Sequence, residues 1–250
     1  MKNKIINICL GLLPLISFLL IWEFLIATTP KNIFLFSSPS FVFTSLLDNF
    51  KNGSLPQDIL ITGQEALYGF IIGNLLGAII GLSLWYSKRI ANLTKPYIIA
   101  IGSIPVFSIA PMMIIWFGTG MYAKVMLAAI STITIAITQS YEGAKHVDIQ
   151  QINLFRSFKA NRTQIFVKLI VPSSLIWLFN SLKLNISFAL LGAFLGEFIS
   201  SEEGLGHRIF KAGGTYDVAL VIASLICIVL LALFLSYIIY LFEKTMLKWK

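Results

Sequence analysis

Charge is scarce in this chain: 12% of its 250 residues are Asp, Glu, Lys or Arg, roughly half the usual soluble share of about 25%. With 57% hydrophobic residues and a mean hydropathy of +0.85, too little polar surface remains to clothe a water-soluble body, which excludes an ordinary cytosolic enzyme. Cysteine is nearly absent. Cys9 and Cys227 both fall inside apolar runs, so they read as small core residues and exclude a disulfide framework or a cysteine-rich metal centre. His146 and His207 stand apart from any second ligand at metal spacing, so neither metal binding nor catalysis is assigned to them. There is no Gly-rich loop ending in Gly-Lys-Ser/Thr, the device that cradles nucleotide phosphates. Nor is there a nucleophile, acid-base pair or metal cluster at membrane depth. Glu23 and Lys183 are too isolated to carry chemistry, which argues against a membrane-embedded enzyme.

What the chain has instead is a series of long apolar runs. The first, Ile5 to about Ala27, follows Lys2 and Lys4 but is too long for a signal h-region, carries Glu23 and lacks a small-residue cleavage site. It reads as a membrane anchor with a kink at Pro14. Further runs extend from about Ile59 to Tyr86, Tyr97 to Phe117, Met121 to Tyr141, Ser173 to Gly196 and Val218 to Phe242. At about 20 residues per crossing, six crossings consume roughly 120 residues and leave only short connections. The expectation is a single all-α, polytopic membrane domain over residues 1–250, with helices because lipid leaves no other way to pair the backbone.

The net charge of +8 resembles a nucleic-acid signal until its distribution is read. With the N-terminus placed inside, the cytoplasmic set is Lys2, Lys4, Lys88, Arg89, Lys95, Lys145, Arg156, Lys159, Arg162, Lys168, Lys244, Lys248 and Lys250. The outer set is only Lys31, Lys51, Lys124, Arg208 and Lys211. This bias predicts both termini in the cytoplasm and names the lipid bilayer, not nucleic acid, as the partner.

Several polar positions stand out. Gly69, Gly73, Gly77 and Gly81 recur every four residues on one face of the second span, a pattern for close helix packing. Lys183, beside Asn180 and Asn185 in the fifth span, is either a pathway residue or a lysine that snorkels to the cytoplasmic interface. Glu197, Glu202 and Glu203 precede Gly204-Leu205-Gly206 in the expected outer loop, as gate residues or solvated carboxylates. Ser37 to Lys51 suits a short helix packed at the outer surface.

The longest polar stretch, Glu142 to Lys168, reads as two short helices. Asp148 with Gln151 and Asn161 with Gln164 fit capping boxes. The first helix carries Ile149, Ile152, Phe155 and Phe158, the second Ile165, Phe166, Leu169 and Ile170, and Pro172 is expected to stop the second before the fifth span. A cytoplasmic helical hairpin with aromatic residues and cations suits docking of a soluble partner.

The run YEGAKHVDIQQINLFRSFKANRTQIFVKLIVPSSL resembles the EAA loop of permease subunits of binding-protein-dependent ABC importers, from Glu142-Gly143-Ala144 through Asp148 and the Ala160 turn to Pro172. Phe36-Ser37-Ser38-Pro39, GSIPVFSIAPMMIIWFGTG and GEFISSEEGLGHRIFKA are similar, in the same order, to segments of the nitrate, sulfonate and taurine branch. Two departures stand out: the family usually has Gly where Lys159 stands, and commonly a basic residue where Glu65 stands.

The resemblance implies a type I importer permease with a coupling hairpin over about 142–172. Its ATPase-facing residues would be Glu142, Gly143, Ala144, Asp148, Phe155, Phe158, Lys159, Ala160, Asn161 and Arg162. It also implies cytosolic ABC ATPase subunits that bind the ATP, an extracytoplasmic binding protein, a second permease copy as a homodimer, and residence in the bacterial inner membrane. The cargo would be a small anionic or polar solute. The competing reading is an ion-gradient-driven transporter, whose usual inverted repeat is not visible in this chain.

Overall fold

The computed structural model describes residues 2–26 and 29–247, with side chains described for 13–26, 29 and 31–247. Cys9, Lys2 and Lys4 therefore lie outside the described side chains, and Ala27, Lys248 and Lys250 outside the described residues. The elements in order are α1 (Lys2–Ile26), α2 (Pro30–Phe36), α3 (Pro39–Lys51), α4 (Ser54–Ser83), α5 (Lys88–Gly102), α6 (Val106–Phe117), α7 (Met121–Lys145), α8 (Ile149–Ser157), α9 (Arg162–Ile165), α10 (Val171–Ser200), α11 (Leu205–Gly214) and α12 (Val218–Met246). No strand occurs among the described residues, as lipid solvation of the backbone requires of a chain that does not close a barrel.

Four stretches are long and apolar enough to cross a membrane: Ser54–Tyr86, Met121–Lys145, Arg162–Ser200 and Val218–Met246. The region expected as one third span is broken. α5 and α6 meet at 88°, because Pro105 has no N–H to continue a helix and pushes Ile104 out of helical geometry. Counted as one span the bent pair makes five. α1 is helical over 25 residues, and its described apolar part is Leu13–Ile26.

α7 is the centre of the bundle, packed along its length against α4 on one side and α10 on the other. Many of its inward residues are small, Ala123, Ala128, Ala129, Ser131, Thr132 and Ala136, and they are buried beside the larger Lys124, Val125, Leu127 and Ile137. Gly69, Gly73, Gly77 and Gly81 of α4 each meet this surface. A Cβ added at Gly73 would stand 2.0 Å from Thr132 Oγ1 and 2.5 Å from the Ala129 carbonyl oxygen. From the other side Gly192 of α10 brings its backbone onto Ala128. Lipid tails are as apolar as leucine, so helices associate in a bilayer through close dispersion contact and interhelical hydrogen bonds. Asn185 of α10 supplies such bonds, donating to Asn74 Oδ1 of α4 at 2.6 Å and to the Thr132 carbonyl of α7 at 3.2 Å. The outward faces of α12 and α4 expose Leu225, Val229, Leu233, Phe234, Leu75 and Ile79, the pattern of surfaces that meet lipid.

Two local interactions fix the peripheral helices. Ser40, in the first turn of α3, donates to the Glu23 carboxylate of α1 through its N–H at 3.1 Å and its hydroxyl at 2.8 Å. Glu23 thereby satisfies an orphan donor at a helix N-terminus, where negative charge is favoured. α3 then packs on α12, which gives the expected Ser37–Lys51 helix its place.

Substituting Ala at Gly73 should destabilise the protein by about 1–3 kcal/mol or more, because the blocking atoms include backbone. Ala at Gly63, whose added Cβ would meet only Leu231 at 3.6 Å, should be close to neutral. Thermal unfolding of the two purified variants in one detergent checks the contrast.

Candidate functional site

At one end of the bundle lies the polar hairpin. Asp148 caps α8 by accepting from the Gln150 N–H at 2.9 Å. The capping box expected with Gln151 does not form: the Asp148 side chain accepts from the second residue of the helix, Gln150, and not from the third. At α9 the full box is present: Asn161 Oδ1 accepts from Gln164 N and Gln164 Oε1 accepts from Asn161 N, both at 2.8 Å. Lys159, between the two helices, has φ +57°. The turn therefore keeps the left-handed conformation that glycine adopts freely and an L-residue adopts at a cost of about 1–2 kcal/mol.

The second hairpin helix does not stop at Pro172. α9 passes through a π turn, Phe166–Ile170, straight into α10, and the whole run Arg162–Ser200 is 39 residues long. A π turn shifts the hydrogen-bond register by one residue, and Pro172, directly after it, lies where that shift accommodates the missing N–H. The result is a rod of about 58 Å at 1.5 Å per residue.

The hairpin has a core and a face. Ala144, Ile152, Ile165, Leu169 and Ile170 are buried together, with Phe155 and Ala160 packed against them. Gly143 lies against Trp177, 2.8 Å from its would-be Cβ to the Trp177 Cβ. Gly143 and Ala144 are thus interior, a correction to the expectation that they face a partner; their small size lets α7 approach α10. Glu142 holds Lys145 and the His146 ring at 3.5 Å each, and His146 stacks on Trp177 at 5.0 Å. Ile149, Leu154 and Phe158, the last 76% exposed, form an apolar surface flanked by Arg156 and Lys159. Arg162 donates to the Tyr86 carbonyl and lies 5.7 Å from the Trp85 and Tyr86 ring centres. With the Phe166 ring tilted against Tyr86, centres 4.8 Å apart, this braces the hairpin on the end of α4.

At the far end is a buried polar network. Glu197 is not in a loop: α10 continues past Gly196 and buries it completely. Its carboxylate accepts from Thr62 Oγ1 and from the Gly206 N–H, each at 2.6 Å, and lies against the Glu65 carboxyl group. Glu65, 1% exposed, pairs with Lys124 at 3.2 Å. Lys124 belongs to α7 and is 7% exposed, so it is not the outer-loop cation expected. The segment after Glu197 is also ordered. Gly204, at φ +99°, sits where a side chain would strike the Glu197 carboxylate 2.3 Å away. It starts α11, and Gly204 N donates to Asp58 Oδ1 at 2.8 Å. Arg208 completes the link through Asp58 Oδ2 at 2.5 and 2.6 Å and Asn49 Oδ1 at 2.9 Å. His207 lines the shallow groove beside Arg208.

The trio Asn180, Lys183 and Asn185 is split. Asn185 is buried among α4, α7 and α10, whereas Asn180 and Lys183 are exposed. Lys183 pairs with Glu243 of α12 at 2.5 Å, a carboxylate partner that neither sequence alternative supplied. The Glu65, Lys124, Glu197 and Asp58, Arg208 groupings escaped the sequence reading. The available signal was the presence of single charges inside apolar helices, since intramembrane charges pair with one another.

Residues 73–248 match the sequence profile of a family described as "Binding-protein-dependent transport system inner membrane component". The chain is 28% identical over 219 residues to a probable ABC transporter permease protein of Haemophilus influenzae, covering 88% of this chain and 89% of that one. It is 28% identical over 182 residues to the formylaminopyrimidine transport permease protein of Halalkalibacterium halodurans, covering 73% of each. Among solved structures it is similar to a chain of the inward-facing MetNI methionine ABC transporter, with a TM-score of 0.63 at 16% identity, covering 80% of this chain and 96% of that one.

Two stability outcomes follow from these geometries. Lys124→Met leaves two adjoining carboxyl groups without their cation and should cost about 3–5 kcal/mol. Lys159→Gly relieves the left-handed turn and should stabilise by about 1 kcal/mol after the glycine's larger unfolded-state entropy is counted. Thermal unfolding in detergent reads both; a neutral Lys124→Met would contradict the buried pair.

Proposed function

The chain belongs to the family of binding-protein-dependent transport system inner membrane components, and from that premise we propose how its hairpin and rod divide the work. It is the multi-pass membrane permease of an ATP-binding-cassette importer, and the ion-gradient alternative is not favoured. The hairpin end is the cytoplasmic end, where a separate ATPase subunit docks and binds the ATP. Both termini lie on that side, in keeping with the Lys and Arg bias. Two copies pair to enclose the pathway, the simplest closed symmetry for a single permease gene product, and the binding protein delivers solute at the far end.

The observation that carries this reading is the exposed apolar face of Ile149, Leu154 and Phe158 on a hairpin continuous with α10. Such a face on the polar end of a membrane bundle suits a protein partner. The hairpin is stiff: the Asn161 and Gln164 box, the Arg162 brace and the aromatic contacts all oppose bending. A push on it passes along the rod toward Glu197 without a hinge among flexible residues. ATP-driven closure moves the equilibrium only if partner contacts differ between the inward- and outward-facing states, and a lever joining both ends of the bundle supplies that difference. Gly143, Ala144 and Phe155 support the hairpin from within, while Asp148, Phe158, Lys159, Ala160, Asn161 and Arg162 shape its surface and turn.

The test is assembly. Replacing Leu154 and Phe158 together by Ser should lower co-purification with the ATPase subunit at least tenfold, while the unfolding temperature of the permease alone stays within about 2 °C, as expected for exposed positions. Undiminished assembly would remove the hairpin from the interface.

A further inference from the structure

The hairpin end of the molecule carries its positive charge unopposed. No acidic residue occurs between Glu65 and Glu142, nor between Asp148 and Glu197. The three carboxylates that do reach this end are engaged: Glu142 holds Lys145 and His146, Asp148 caps α8, and Glu243 pairs with Lys183. Arg156 and Lys159 on the hairpin, and Lys88 and Arg89 at the start of α5, are exposed. Among the described residues none of these four forms an ion pair.

One of these cations lines a groove. Between α8, α9 and the end of α4 the surface opens into a hollow of about 480 Å³, lined by Trp85, Ile152, Arg156, Ala160, Arg162 and Ile165. Ile152 and Ile165 belong to the buried core of the hairpin, so the hollow has an apolar base, and no acidic residue lines it. Its two arginines differ. Arg162 is spent on the Tyr86 carbonyl and the Trp85 and Tyr86 rings, whereas the Arg156 side chain has no hydrogen bond, ion pair or ring contact among the described residues. A guanidinium offers five N–H donors in a planar fork that matches a carboxylate bidentately, and beside an apolar wall such a pair is screened less than in open water.

We infer that this groove receives an Asp or Glu side chain of the ATPase subunit, paired bidentately with Arg156, and that the matching surface of that subunit is acidic as well as apolar. This rests on the reading of the hairpin as the ATPase-docking end, and adds the charge of the partner and the residue that reads it. The apolar face of Ile149, Leu154 and Phe158 supplies contact area, while a directional ion pair fixes how the partner sits on it and Lys159 adds to the attracting field. The walls belong to the hairpin beside Leu154 and Phe158, and not to the lipid-facing surfaces of α4 and α12, which favours a protein carboxylate over a lipid phosphate as the occupant.

The test measures binding of the ATPase subunit to the purified full chain in a neutral detergent free of anionic lipid, from about 0.1 M to about 1 M KCl, over which the screening length falls from about 10 Å to about 3 Å. Affinity should fall at least tenfold across this range. Arg156→Gln should weaken binding about tenfold at the lower salt and remove most of the salt dependence, as loss of an interfacial ion pair requires. Arg156→Lys should keep the salt dependence and recover only part of the affinity, because an ammonium cannot make the bidentate contact. Arg156 is exposed, so the unfolding temperature of each variant should stay within about 2 °C of the unaltered chain. Binding indifferent to salt, Arg156→Gln binding as tightly as the unaltered chain, or full recovery by Arg156→Lys overturns the inference and leaves hairpin docking standing, since the Leu154 and Phe158 double substitution tests docking separately. An effect of Arg156→Gln that appears only after anionic phospholipid is added back assigns the groove to a lipid phosphate and equally overturns it.

Discussion

The structure depends on how closely three helix backbones approach. α7 offers alanine, serine and threonine on two faces, and α4 and α10 bring glycines to meet them. In water, burying large apolar side chains would hold such a bundle together. In lipid that driving force is absent between helices, and the remaining attraction comes from short-range dispersion and from polar groups that pair across the interface. Small residues maximise the first, and the Asn74, Thr132 and Asn185 contacts provide the second. Every other element is positioned relative to this triple layer.

The same layer links the two ends of the molecule through one helix. α10 is at once a wall of the central packing, the continuation of the hairpin and the carrier of Glu197. The π turn at Phe166–Ile170 lets the helix pass Pro172 without breaking, so the hairpin is rigidly joined to the span and does not dangle from it. At the far end Glu197 ties α10 to Thr62 of α4 and to the backbone that starts α11, and Glu65 with Lys124 adds α7. One helix therefore joins the hairpin to this cluster of buried charges. The Lys183 and Glu243 pair adds a separate tie between α10 and α12.

Much of this was legible in the chain. The apolar runs, the glycine spacing and the Asn161 and Gln164 pair follow from short-range rules of helix length, close packing and capping, and each depends on residues within a few turns of one another. Errors arose where a local rule met a competing one. Pro105 broke the third run because proline acts on the residue before it, while Pro172 failed to stop a helix because a π turn absorbed it. Asp148 made its cap with Gln150 and left Gln151 unused. Gly143 and Ala144, placed on the partner face from a linear motif, turned inward because the end of α7 packs on Trp177 and Ser174 of α10.

The sequence by itself determined that this is an all-helical membrane protein with a polar, capped hairpin, because hydropathy, helical period and cap chemistry are properties of neighbouring residues. Only the tertiary structure decided what the isolated charges do. Glu65 and Lys124 are 59 positions apart in the chain, and Thr62 and Glu197 are 135 apart. No local pattern links such residues; they meet because α7 holds α4 and α10 against its two faces, and a charge removed from water is tolerated only where a distant partner is delivered to it.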